Sequence, residues 1–397
     1  MSKAAKVFPD VASVVRELRP SYPVYCVRPE VLTRNAKRFL TGFPGKVLYA
    51  VKSNPHPMVL DALYAGGIRH FDTASLAEIA QICESYEEAG AYFMHPVKTR
   101  AALEMAYKVY GIRHYVVDHP AELEKVYEET GGDDVVIMVR ITTPKAEGTL
   151  FHLAGKFGAT VEEGAEMMKR AKALGMEAGV AFHVGSQCMD PGAYIAALEA
   201  VGRMLALSGV EPVAVDVGGG FPARYANMEP PPIHKYFEAV REGLKRIKLP
   251  PTVDIWCEPG RALVATGVSL LVQVQLRKDD KLYINDGIYG SLNELTSSEM
   301  RPPTRLVRLE GPPSSNEFQS YAMMGPTCDS VDVVEGAFTL PVDVQEGDWI
   351  EIDQLGAYSN AMASRFNGFF PETFVTVNDD PVAAGLKGPC APSVVAA

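Results

Sequence analysis

The run Val47-Leu48-Tyr49-Ala50-Val51-Lys52 is a short apolar, aromatic and β-branched stretch closed by a lysine. Its near-continuous apolarity suits a strand covered on both faces. Seven runs of the same kind follow, at 70–75, 91–96, 114–118, 135–141, 179–186, 214–219 and 254–260. Helical patterns separate them. Ser75-Leu76-Ala77-Glu78 reads as a capping box opening a helix that ends near Gly90. Pro120 suits a first helical turn, and Gly131-Gly132 closes that helix. Gly66-Gly67, Gly111 and Gly175 stop others. Eight β-runs alternating with helices imply an α/β fold, a parallel (β/α)8 barrel of the TIM type over about residues 28–267. A doubly wound open sheet is the competing architecture.

Beyond residue 268 the rhythm changes. Runs at 268–276, 282–285, 305–309, 349–353 and 373–377 read as strands without long helices between them, and 277–280 reads as a hairpin turn. The expectation is a second, all-β domain of sandwich or barrel type, 268–397. Residues 1–27 join it, because 23–26 is strand-like and precedes the barrel. The segment after Asp380 is rich in Pro, Gly and Ala and reads as a loose tail.

The chain has 397 residues, 47% hydrophobic and 22% charged, with a net charge of −11. These values suit a two-domain globular enzyme. The acidic balance argues against nucleic acid and an anionic membrane surface as partners. No apolar stretch reaches the ~18 residues of a membrane span, and no signal-peptide pattern is read at the N-terminus. None of the six cysteines forms a Cys-x-x-Cys pair, and the eight histidines show no metal spacing, so no metal is expected. Free thiols in a cytoplasmic protein are the expectation.

In such a barrel, chemistry sits at the C-terminal strand ends. Those ends carry Lys52, Asp72 with Ser75, His95, Asp118, Arg140, His183 with Ser186, Gly218-Gly219-Gly220, and Glu258 with Arg261. A lysine closing an apolar strand places its amine in a partly dry pocket, where desolvation lowers the pKa and frees the lone pair to attack a carbonyl. The bland alternative is a lysine snorkelling to the rim. Three glycines after Asp216 let backbone N–H groups approach an anion, or merely make a tight turn. Glu258 could face a protonated ring nitrogen and Arg261 a phosphate, or the two could pair with each other. A strand-end lysine, a glycine cradle and a strand-end glutamate together are the parts needed to hold pyridoxal 5′-phosphate (PLP).

The motifs then carry a resemblance. They are Tyr-Ala-Val-Lys-Ser-Asn (49–54), Phe-Asp-Thr-Ala-Ser (71–75), Lys-Phe-Gly (156–158), Phe-His-Val-Gly-Ser (182–186), Asp-Val-Gly-Gly-Gly-Phe-Pro (216–222), Glu-Pro-Gly-Arg (258–261), Asn-Asp-Gly-Ile-Tyr-Gly (285–290), Gly-Pro-Thr-Cys-Asp (325–329), and Gly-Ala-Tyr (356–358) leading into Arg-Phe-Asn-Gly-Phe (365–369). In this order they resemble the fold-type III PLP decarboxylases of ornithine, lysine, diaminopimelate and arginine, whose barrel is of the alanine racemase type. The resemblance implies Lys52 as the Schiff-base lysine and Glu258 as the partner of the pyridine nitrogen. It implies His183 stacked on the ring, and Ser186, Gly219, Gly220, Gly260, Arg261 and Tyr358 around the phosphate. Asp72 and Arg140 would lie near the cofactor. Cys328 would re-protonate the substrate α-carbon, Asp329 would face a distal amine, and Phe366 would line the substrate pocket. The resemblance also implies a homodimer in which Cys328 and Asp329 enter the neighbouring subunit's barrel mouth.

The implied reaction is decarboxylation of a basic diamino acid. L-Ornithine to putrescine, a step of polyamine biosynthesis, leads, with lysine, diaminobutyrate and diaminopimelate as alternatives. One departure bears on this. Ser298 stands where ornithine decarboxylases usually carry an aspartate for the distal amine, with Glu299 or Glu294 nearby to compensate. A non-catalytic, regulatory PLP-binding homologue is the alternative from another class.

Overall fold

The structure, a computed structural model, describes residues 6–143, 149–151 and 155–385. Cys390 and most of the tail after Asp380 lie outside the described residues.

Eight parallel strands form a closed barrel: Lys46–Ala50, His70–Thr73, Gly90–Phe93, His114–Val117, Val136–Arg140, Glu177–Ala181, Ala214–Asp216 and Asp254–Cys257. The last pairs with the first, Trp256 opposite Lys46 and Cys257 opposite Val47. Closure rules out the open sheet. It also explains the unbroken apolarity of the runs. Side chains alternate across a strand. Leu48, Met94, Val116, Met138, Ala181 and Ala214 fill the barrel interior as one cluster with Tyr92 and Trp256. Val47, Tyr49, Phe71, Tyr115 and Val139 belong to the larger core beneath the surrounding helices.

The helices start and stop largely where local chemistry dictates. Ser75 caps the helix Leu76–Ser85 by accepting from the Glu78 amide, and the Glu78 carboxylate reaches back to the Ala74 amide at 2.6 Å. That helix ends five residues before Gly90. Pro120 opens Pro120–Thr130, and Gly131 closes it in the left-handed region, φ 77°. The expected sixth run, 179–186, is divided. Its strand stops at Ala181, and Ser186–Cys188 instead pairs antiparallel with Thr149–Phe151. Gly185 makes the break with φ 103°.

The barrel floor gathers the first residues of four strands, Lys46, His70, His114 and Asp254. The His114 ring lies 4.7 Å from Tyr92 and 5.3 Å from Trp256. Burial, with Lys46 and His70 nearby, pushes the His114 imidazole down to about 4. The unfolded chain therefore binds a proton there that the folded chain refuses. Its contribution to stability is present above about pH 6.5 and is lost as the pH falls toward 4. One proton gives a slope of at most ~1.4 kcal/mol per pH unit. Urea melts between pH 7 and 5 should therefore steepen in the native protein relative to His114→Gln. Parallel dependences would remove His114 from the acid response.

The second unit is a nine-stranded mixed sheet. Along its main path run Val7–Phe8, Thr373–Val377, Val24–Val27, Val268–Lys278, Lys281–Ile284, Phe318–Met324 and Val333–Pro341, while Thr304–Val307 and Trp349–Ile352 pair to the side. The N-terminal strand Val24–Val27 lies between Val268–Lys278 and Thr373–Val377. Asp279 makes the hairpin turn at φ 53°. The sequence reading omitted three of these strands, Val7–Phe8, Phe318–Met324 and Val333–Pro341, and the helix Val11–Leu18. That helix buries Val11, Val14 and Val15 against one face of the sheet.

Candidate active site at the mouth of the barrel

The strand Lys46–Ala50 ends in a tight turn, Val51–Ser53, that turns Lys52 into the barrel mouth. The turn is pinned to the eighth strand's end. The Ala50 amide donates to the Pro259 carbonyl at 3.2 Å, and a Cβ at Gly260 would come within 2.9 Å of Ser53. Only glycine at 260 lets the two segments approach this closely, and the approach sets Glu258 near Lys52. Both line a cavity of about 390 Å³ with Arg140, His183, Ser186 and Tyr358. Met94, His95, Phe157, Glu294 and Ser297 complete much of its wall. The size suits a small-molecule site.

The Lys52 amine donates to Asp72 Oδ2 at 2.7 Å. The expectation of a lowered pKa is corrected here. Burial does push the amine down, but Asp72 and Glu258 outweigh it, so Lys52 is held above its ordinary value. Glu258 is pushed well up by burial and by the neighbouring Asp216 and Asp72. Asp216 is fully buried, accepts from the Gly218 amide at 2.8 Å, and is pushed up to about 7, chiefly by burial. Three carboxyls thus crowd one end of the cavity, and a cationic N–H placed there would relieve them. His183 is held well below its ordinary value by burial, Arg140 and Lys52. Its Nδ1 accepts from the Gly185 amide at 3.0 Å, which fixes a neutral imidazole.

At the other end the backbone turns sharply. Gly218 and Gly220 have φ of 67° and 102°. A Cβ at Gly219 would lie 2.9 Å from His183 Nε2 and 2.7 Å from the Glu258 carbonyl. Gln187 and Tyr358 also sit in the left-handed region, at φ 53° and 57°. Non-glycine residues take that region at a cost and concentrate at functional sites. Arg261 is buried. It donates to Ser186 Oγ at 3.3 Å and Tyr225 Oη at 2.9 Å, and its guanidinium carbon lies 5.1 Å from the Tyr358 ring. Its carboxylate partner is not Glu258 but Glu294.

Residues 30–265 match the family model described as pyridoxal-dependent decarboxylase, pyridoxal binding domain. A curated lysine/ornithine decarboxylase of Selenomonas ruminantium is 33% identical over 344 residues, 84% of each chain. The arginine decarboxylase of Paramecium bursaria Chlorella virus, solved with agmatine, superposes with a TM-score of 0.81 at 27% identity, covering 92% of this chain and 99% of that one. The lysine/ornithine decarboxylase of Vibrio vulnificus, solved with cadaverine, gives 0.79 at 29% identity over 94% and 100%.

The chain belongs to the pyridoxal-dependent decarboxylase family.

The cavity of this pyridoxal-dependent decarboxylase fits the family's cofactor. Lys52 offers an amine and the carboxyl cluster meets the need of a ring nitrogen. Ser186, Arg261 and the glycine backbone offer donors for a phosphate. Among the described residues Arg261 Nε and Asp72 Oδ1 are buried without a hydrogen-bond partner, on side chains that contact the lining residues Ser186 and Lys52. Buried polar atoms without partners are uncommon and costly. PLP is the cofactor.

The other expected site residues lie elsewhere in the decarboxylase chain. Ser298 and Glu299 are not among the cavity-lining residues. Ser298 Oγ is buried without a partner among the described residues, and the Glu299 carbonyl accepts from Asn227 at 2.6 Å. Glu294, on the preceding turn Asn293–Thr296, and Ser297 line the cavity instead. Cys328, Asp329 and Phe366 form a separate cluster in the sheet domain. The Cys328 amide donates to Asn367 Oδ1 at 3.1 Å, Tyr289 Oη donates to Asp329 Oδ2 at 2.5 Å, and the Tyr289 and Phe366 rings lie 4.6 Å apart. Buried Asp332 shapes this loop. It accepts from Ile288 N at 2.9 Å and from the Thr327 hydroxyl at 2.6 Å. Val331, Phe366 and Phe369 are exposed beside it. Met94, Ser297 and the Glu294–Arg261 pair were not anticipated as site features, since no short motif marks them. Among the described residues, no helix is long and apolar enough to cross a membrane.

Proposed function

We propose that this chain decarboxylates a basic diamino acid, with L-ornithine to putrescine as the leading reaction and lysine beside it. The observation that carries the reading is the convergence on one cavity of Lys52, Glu258, neutral His183 and the Ser186–Arg261–Tyr358 group. PLP, when bound, supplies an electron sink for the bond to the departing carboxylate. The chain's residues do the rest. Lys52 anchors the cofactor through its amine, and Asp72 and Arg140 set the charge around that amine. Glu258 holds a proton on the ring nitrogen, and its crowding by Asp216 and Asp72 makes a cationic partner favourable. His183, being neutral, would face the cofactor ring without opposing that proton. Ser186, Gly219, Gly220, Gly260, Arg261 and Tyr358 hold the phosphate.

Cys328 and Asp329 are proposed to act in the neighbouring subunit of a homodimer, Cys328 returning a proton to the α-carbon and Asp329 receiving the distal ammonium. Phe366 would line that pocket. Their separation from the cavity wall of their own chain and the exposed apolar residues beside them support a shared site. Lysine stays beside ornithine because residue 298 is a serine and the relatives named above act on lysine, ornithine or arginine. Two measurements test the reading. Carbon dioxide release with PLP should occur with one or more of ornithine, lysine and diaminobutyrate, and silence with all of them sinks it. Mixing inactive Lys52→Ala and Cys328→Ala proteins should restore part of the activity, because a mixed dimer holds one intact site. No recovery after demonstrated subunit exchange would place Cys328 in its own chain's site or outside the mechanism.

A further inference from the structure

The guanidinium that would take the cofactor phosphate already holds a carboxylate. Both terminal nitrogens of Arg261 contact Glu294, Nη1 to Oε2 at 2.7 Å and Nη2 to Oε1. This is the planar, two-point geometry that a phosphate also requires. Arg261 is 3% exposed and the Glu294 side chain 14%, so water screens the pair poorly. The turn bearing Glu294, Asn293–Thr296, is itself fixed. Asn293 Nδ2 donates to the Ile288 carbonyl at 3.0 Å, Leu295 is buried, and the Leu292 amide donates to Gly287 at 3.0 Å. The side chain moves more easily than the turn that carries it. Glu294 also lines the cavity that contains Lys52, with Ser297 one turn away. The other carboxyls around Lys52 already face it: Asp72 Oδ2 accepts from its amine, and Glu258 lies among Asp216, Asp72 and Lys52.

We propose that Glu294 is a specificity residue that exchanges partners. Phosphate takes Arg261 from it, and the released carboxylate turns along the cavity to receive the distal ammonium of the substrate. A dianionic phosphate and a carboxylate cannot share one buried fork without strong repulsion. A carboxylate displaced inside a half-closed cavity is most favourable against a cation. The ligand class is a primary ammonium on a flexible chain. This assignment rests on the diamino-acid reading and places a second carboxylate where Ser298 does not supply one.

The test uses the full-length protein and Glu294→Gln, which keeps shape and removes charge. Equilibrium titration of the dialysed proteins with PLP, followed by cofactor absorbance, should show binding about tenfold tighter in the variant, the equivalent of 1.4 kcal/mol. Inorganic phosphate titrated alone into the dialysed proteins should also bind about tenfold tighter to the variant. Putrescine titrated into the PLP-loaded proteins should bind about tenfold more weakly to the variant, and KM for the diamino acid should rise more than kcat falls. Glu294→Asp should recover part of the putrescine affinity. Unchanged or weaker PLP binding in Glu294→Gln overturns the exchange. Tighter PLP binding with unchanged putrescine affinity overturns the substrate contact. Because both titrations read binding rather than turnover, an absence of carbon dioxide release in the native protein would refute the decarboxylation reading separately.

Discussion

Lys52→Ala is expected to lose stable retention of PLP on dialysis and to lower turnover by on the order of 10⁴-fold, the scale on which removing a covalent catalytic group acts. The amine stands in the cavity between Asp72, 2.7 Å away, and Glu258. Alanine removes both the anchoring nitrogen and the cation that restrains the carboxyl cluster. With that cation gone, Glu258 moves further from ionisation, so what cofactor still binds meets a poorer partner at its ring nitrogen. Lys52→Arg separates the two roles. It keeps a positive charge beside Asp72 but offers a guanidinium that stays protonated. The arginine variant should keep the native melting temperature while remaining inactive. Native turnover in either variant would remove Lys52 from the cofactor assignment.

The second large effect is on stability. Glu351→Ala is expected to cost about 3–5 kcal/mol, the price of breaking a buried ion pair from one side. Glu351 is fully buried at the centre of a network joining five segments. Its Oε1 accepts from Arg28 Nη2 and Ser269 Oγ, both at 2.7 Å, and its Oε2 accepts from Arg305 Nε at 2.8 Å. Arg28 also reaches Asp379 Oδ1 at 3.0 Å, and Arg305 reaches Asp379 Oδ2 at 3.1 Å. Arg28 opens the first barrel helix, Ser269 lies in the long strand after the barrel, and Asp379 follows the last strand. Removing the carboxylate leaves two guanidiniums in the interior, facing Asp379 and, for Arg28, the buried Asp353. Burial alone would raise the Glu351 carboxyl, but Arg28 and Arg305 outweigh it and hold it below its ordinary value. Its stabilisation is therefore present above about pH 4.3 and is lost only as the pH falls through the lowered value. Denaturant unfolding at pH 7 checks the prediction. An unfolding free energy within ~0.5 kcal/mol of the native protein's would show that water or rearranged partners replace Glu351 at little cost.

Much of this was open to sequence reasoning because it depends on short-range periodicity. Unbroken apolar runs such as 47–52 can be buried on both faces, and their alternation with capped helices leaves few topologies other than a closed parallel barrel. Strand ends in such a barrel are where polar side chains gather, so Lys52, Arg140, His183 and Glu258 could be named from position along the chain alone. Gly260 and Gly219 were legible as glycines, and their close approaches to Ser53 and His183 supply the physical reason for them.

What the tertiary structure decided concerns charges and separations through space. Lys52 was expected to be a depressed amine because its flanks are apolar, whereas Asp72, twenty residues away, lies 2.7 Å from it and reverses the shift. Arg261 was weighed against Glu258, its neighbour in the sequence, yet it pairs with Glu294, 33 residues distant. Ser186 left its expected strand for a two-stranded antiparallel pair with Thr149–Phe151. Cys328 and Asp329 are bound to Asn367 and Tyr289 rather than lining the cavity with Lys52. Periodicity is written in consecutive residues and determines the frame. Coulomb forces and desolvation depend on distance in space, so the pairing of charges was settled only once the barrel had closed and the sheet domain had folded against its mouth.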